Sequence, residues 1–95
     1  AILQVDPRYV PAIKNLGIGL AAMGRIDDAI ETIRRAVRIE PGNAGLHVCL
    51  GNLLKRSGRL DEAATEYRNA LNLDPQSAEA RQQLDAAQHR PESKP

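Results

Sequence analysis

The chain has 95 residues, is 42% hydrophobic and 26% charged, and sets 13 Lys and Arg against 12 Asp and Glu for a net charge of +1. That balance supplies no field to gather nucleic acid or an anionic membrane, and two Tyr with no Phe or Trp leave no aromatic platform for stacked bases. A single cysteine, Cys49, excludes an internal disulfide framework, and no apolar run reaches the roughly 20 residues of a membrane span.

One small domain fits this length. Residues 1–9 read as the end of a preceding unit. Leu3, Val5, Asp6 and Pro7 take the phases of Val37, Ile39, Glu40 and Pro41, and proline shortly past a helix end cannot extend the hydrogen-bond ladder. A first full helix is predicted from Pro11 to about Met23. Its proline falls in the first turn, where the missing N–H has no intrahelical partner to lose. Ile13, Leu16 and Leu20 recur at spacings of three and four, an apolar stripe, and Gly24 ends the helix. Asp27 is the expected cap of a second helix, with Asp28 favouring its dipole. That helix has an apolar face of Ala29, Ile30, Ile33, Ala36 and Val37 and an expected Glu31–Arg35 surface pair.

Pro41-Gly42-Asn43 breaks the chain, and Asn43 is the expected cap of a third helix. That helix runs from Ala44 to about Ser57, with Leu46, Leu50, Leu53 and Leu54 on one side. A fourth, from Asp61 to about Leu73, presents Ala63, Ala64, Tyr67, Ala70 and Leu71. Ser77 is placed to cap a fifth, from Ala78 to about His89, whose apolar stripe fades to Leu84. A more polar last helix suits a unit whose outer face meets water. Residues 91–95 read as a disordered tail.

These elements are copies of one another. Displaced by 34 residues, Leu16, Gly17 and Leu20 fall on Leu50, Gly51 and Leu54. Gly24, Arg25, Asp27 and Ala29 fall on Gly58, Arg59, Asp61 and Ala63, and Ala36 and Pro41 on Ala70 and Pro75. A fixed period of this size marks a stacked array of repeats. The pattern Ile13-x-x-Leu16-Gly17-x-x-Leu20…Ala29-x-x-x-Ile33…Ala36…Pro41 returns as His47-x-x-Leu50-Gly51-x-x-Leu54…Ala63-x-x-x-Tyr67…Ala70…Pro75. It resembles the tetratricopeptide repeat family, with that family's large aromatics replaced by aliphatics or by His47. The resemblance implies an all-α fold of antiparallel helix hairpins stacked as a right-handed α-solenoid. One repeat covers 10–43, a second 44–77, and a capping helix or partial third repeat 78–90. The small residues Gly17, Ala29, Gly51 and Ala63 are expected where paired helices touch.

The resemblance also implies a concave groove lined by the first helix of each pair. It places there Lys14, Ile18 and Ala21 from the first unit, Val48, Asn52, Lys55 and Arg56 from the second, and Gln82, Ala86 and His89 from the third. The expected function is a protein–protein interaction scaffold that binds a peptide segment in this groove, acidic groups of the peptide meeting Lys14, Lys55 and Arg56. Two alternatives stand beside it. One is a self-assembly module, because the N-terminal face is expected to expose Ile2, Leu3 and Ile13. The other is an accessory repeat domain of a larger enzyme such as a glycosyltransferase. The carboxylate clamp of chaperone-binding members is not expected, since Ile18 and Cys49 occupy its Asn phases and Glu79 and Gln83 its Lys and Arg phases.

No catalytic constellation or cofactor is expected: no nucleophile–base arrangement or glycine-rich phosphate loop appears. His47 and Cys49 stand two residues apart, roughly 200° round a helix, so they diverge and no metal site is expected. Arg34, Arg35 and Arg38 read as a solvated outer face.

Overall fold

The glycines at the ends of the predicted helices take the left-handed conformation their position calls for. In a computed structural model that describes residues 9–88, Gly24 and Gly58 have φ of 84° and 86°. Each lets the next residue turn back: Arg25 N donates to the Leu20 carbonyl and Arg59 N to that of Leu54, both at 2.9 Å. The helices so delimited are α1 (Val10–Ala22), α2 (Ile26–Ile39), α3 (Ala44–Arg56), α4 (Leu60–Leu73) and α5 (Ala78–Gln88). No strand occurs among the described residues. α1 pairs with α2 and α3 with α4 as hairpins; α2 packs on α3, and α5 packs on α4 and touches α3.

The core runs through these contacts, with Ile30, Ile33, Leu50, Leu54 and Tyr67 fully buried. The small residues make room for large partners on the second helix of the same hairpin. A Cβ on Gly17 would stand 2.6 Å from Cδ1 of Ile33, and one on Gly51 2.6 Å from Cε1 of Tyr67. Ala29 and Ala63, both wholly buried, keep the start of each second helix close to the first. A satellite cluster of Val10, Ile13, Ala36 and Leu46 joins the two repeats at the other end of the hairpins.

Asn43 and Ser77 cap as expected: Asn43 Oδ1 accepts from Leu46 N at 3.3 Å, and Ser77 Oγ from Ala80 N at 3.2 Å. Asp27 does not cap. α2 begins two residues earlier than an Asp27 cap implies, at Ile26, with Arg25 at the cap position and no side-chain cap. The glycine turn brings the chain into helix sooner, so Asp27 and Asp28 fall in the first turn, where they still favour the dipole. Asp28 also pairs with Arg25 at 2.6 Å. The Glu31–Arg35 pair is not formed among the described residues; Arg34 instead reaches across to Glu62 at 3.2 Å.

The N-terminal face differs from the expectation. Ile13 is 4% exposed, whereas Leu16 is 53% and Met23 66% exposed. Leu50, one period after Leu16, is 2% exposed because α2 packs on α3; no described helix stands before α1. The expectations for residues 1–8, including Ile2 and Leu3, for His89 and for the tail fall outside the described residues.

Candidate peptide groove

Because the first helix of each hairpin lies on the same side of the stack, side chains one period apart form a continuous face. An open groove of about 430 Å³ runs along it. α1 contributes Lys14 and Ile18, α3 contributes Ala44, Gly45, Val48, Cys49 and Asn52, and Asp74, Ser77 and Glu79 close the side next to α5. Ile18 is 49% exposed, while Val48 is sunk in the floor. Four of the six residues assigned from the sequence, Lys14, Ile18, Val48 and Asn52, therefore meet here.

The polar groups of the groove differ in how they are engaged. The Tyr67 hydroxyl donates to Asn52 Oδ1 at 2.6 Å. This fixes the orientation of the amide and leaves its nitrogen without an acceptor among the described residues. Lys14, half-buried, has neither ion pair nor hydrogen bond among them, and the same is true of exposed Glu79. Burial pushes the Cys49 thiol up, with Lys14 partly opposing and Glu79 adding to the shift. Burial and then Glu79 push Tyr67 up to about 12. Lys14 and Glu79 thus act from different walls on the same strip of α3.

The other two assigned residues lie beyond this groove. The Lys55 ammonium donates to Gln83 Oε1 on α5. Arg56 Nη2 donates to the Ala21 carbonyl at the end of α1 at 3.5 Å. Both cations are thus drawn into tying helices together. Ala21, read as groove-lining, is 4% exposed and belongs to the core, and Gln82 and Ala86 do not line the groove. Cys49, Glu79 and Asp74 were missed as lining residues. Glu79 was visible in the sequence only as a departure from the clamp, and its position beside α3 depends on how α5 packs.

His47, at a phase where the family motif carries an aromatic, is buried away from the groove. Nδ1 lies 2.9 Å from Glu66 Oε1 and Nε2 2.9 Å from the Pro41 carbonyl, so the ring ties α4 to the turn between repeats. No group of three or more His, Cys, Asp or Glu suited to a metal ion occurs among the described residues.

A tetratricopeptide repeat family model matches residues 20–87. The chain belongs to the tetratricopeptide repeat family. Among solved structures, this TPR chain is similar to the thermophilic TPR protein TTC0263 of Thermus thermophilus, with TM-score 0.80 and 30% identity over 86% of the chain. It is similar to a Thermobaculum terrenum O-GlcNAc transferase, with TM-score 0.84 and 36% identity over 92% of the chain. MamA shares the fold, with TM-score 0.82 and 23% identity over 86% of the chain. The chain spans 42%, 17% and 48% of those three structures. No curated protein sequence matches it. The TPR fold is in general a scaffold for protein interactions, and TPR repeats are generally not catalytic themselves. No helix among the described residues is long and apolar enough to cross a membrane.

Proposed function

We propose that this TPR chain holds a peptide segment of a partner protein in the groove of α1, α3 and α5. The observation that carries this reading is the lining itself. Ile18 and Val48 offer apolar surface, while Lys14 Nζ and Asn52 Nδ2 border it with no partner among the described residues. Apolar surface with a few convergent polar groups is the composition of a binding site. Asn52 Nδ2 is a donor for a peptide carbonyl, and Lys14 attracts a carboxylate. Lys55 and Arg56 extend the same face and remain secondary contacts, because each is already held by Gln83 or Ala21.

The test is selection of a displayed library of random linear peptides on the 95-residue chain, followed by calorimetric titration of the enriched sequences. Ile18→Asp should abolish or strongly weaken binding, and Lys14→Glu should weaken it by a few-fold, the scale of a partly exposed ion pair. Arg38→Glu, on the exposed side of α2, should leave it unchanged. Loss with Arg38→Glu and none with Ile18→Asp would move the site to the outer face.

Two other readings have an observation each. The exposed Leu16 and Met23 are apolar surface that another helix could cover, which supports self-association; sedimentation across a concentration series tests it. The similarity to the O-GlcNAc transferase structure over 92% of the chain supports an accessory role within a longer enzyme. The mass of the native protein, with a sugar-transfer assay on it, tests that.

A further inference from the structure

The groove contains more charge structure than its cation alone. Lys14 stands on the α1 wall and Glu79 on the α5 side, with Val48, Cys49 and Asn52 of α3 between them. Neither charge is neutralised by a side chain among the described residues. The other cations of this face do not compensate Glu79: Lys55 is hydrogen-bonded to Gln83, and Arg56 reaches the end of α1. Asp74 adds a second carboxylate on the same side as Glu79, where it accepts from Gln76 N at 3.2 Å. Across its width the groove therefore runs from positive at α1 to negative at the start of α5, over an apolar floor.

We infer that the groove selects a peptide of mixed charge, one that sets an acidic residue against Lys14, a small apolar residue on Ile18 and Val48, and a basic residue against Glu79. A purely acidic peptide would satisfy Lys14 but bring its remaining carboxylates towards Glu79 and Asp74. Like charges brought together in this way disfavour the wrong partner, and opposite charges fix the orientation of the right one. Asn52 Nδ2, between the two charges, supplies the donor for a backbone carbonyl and so holds the register. This inference rests on the groove being the peptide site.

The experiment uses the same displayed library of random linear peptides on the intact chain. Enriched sequences should carry acidic and basic residues on either side of a small apolar one. The best of them is then synthesised twice, as selected and with its acidic and basic residues exchanged. The selected peptide should bind the natural chain about threefold or more tightly than the exchanged one, the scale of partly exposed ion pairs. In the double variant K14E/E79K that order should reverse. Glu79→Gln alone should erase the preference for a basic residue while Ile18-dependent binding persists. If binding depends on Ile18 but ignores Glu79→Gln and the double exchange, or if acidic peptides alone are enriched, the mixed-charge inference is overturned and the groove reading stands. If no peptide is enriched, or binding ignores Ile18→Asp, both fall.

Discussion

Gly51→Ala is the substitution on which the packing account commits itself most. In isolation it should help, because alanine in a helix interior is favoured over glycine by about 1 kcal/mol. The structure opposes that gain. The new methyl would lie 2.6, 2.9 and 3.0 Å from Cε1, Cζ and Cδ1 of Tyr67. The ring is wholly buried, and its hydroxyl is held by Asn52, so it cannot swing aside without losing that bond. Overpacking of this kind costs about 1–3 kcal/mol, and a rigid ring belongs in the upper part of that range. The net expectation is destabilisation by about 1–2 kcal/mol, a fall in melting temperature of roughly 4–16 °C for a domain of this size. Gly17→Ala is the companion test. Its methyl would lie 2.6 and 2.8 Å from Cδ1 and Cγ1 of Ile33. Cδ1 can turn about χ2, but Cγ1 is set by the stiff χ1 of a wholly buried β-branched residue, so this substitution should also destabilise, by less than Gly51→Ala. Urea unfolding followed by circular dichroism measures both. If Gly51→Ala stabilises the chain by about 1 kcal/mol, the close approach of α3 and α4 at Tyr67 is wrong.

Gly58→Ala should cost about 1 kcal/mol or more in the same assay, because φ of 86° is strained for alanine although no atom lies within 4 Å. Gly42→Ala, equally free of neighbours and not in the left-handed region, should be close to neutral. Stability should also fall at high pH through Tyr67. Its pKa rises from 10 in the unfolded chain to about 12 in the fold, so this contribution is fully present below pH 10 and lost as the pH climbs towards 12. Discounted for the partial solvation of the hydroxyl, the loss amounts to roughly 1–2 kcal/mol, and Tyr67→Phe should flatten that part of the pH–stability curve.

The hairpins were legible because their causes are local. Period, capping residues and terminal prolines each act within a few positions, and Asn43 and Ser77 perform as their sequence context requires. The cap of α2 was misread because Asp27 is a better cap by type than Arg25, yet the Gly24 turn sets where the helix begins. At the groove, the family resemblance, read through helix phase, placed Lys14, Ile18, Val48 and Asn52 on one face. What it could not give was which charges are already engaged. Lys55 reaches a side chain on α5 and Arg56 a carbonyl on α1, 28 and 35 positions away. Burial of Ile13 and exposure of Leu16 likewise depend on which neighbouring helix is present, a fact of stacking and not of phase.

Peptide binding on the face shared by α1, α3 and α5 can be read residue by residue from backbone amide chemical shifts, with the tightest selected peptide titrated into the isotope-labelled 95-residue chain. The largest shifts should cluster at Lys14, Ile18, Val48, Cys49, Asn52 and Glu79, with Arg34, Arg38 and Glu62 on the opposite side unmoved. Shifts concentrated on α2 and α4, with the groove residues silent, would contradict it.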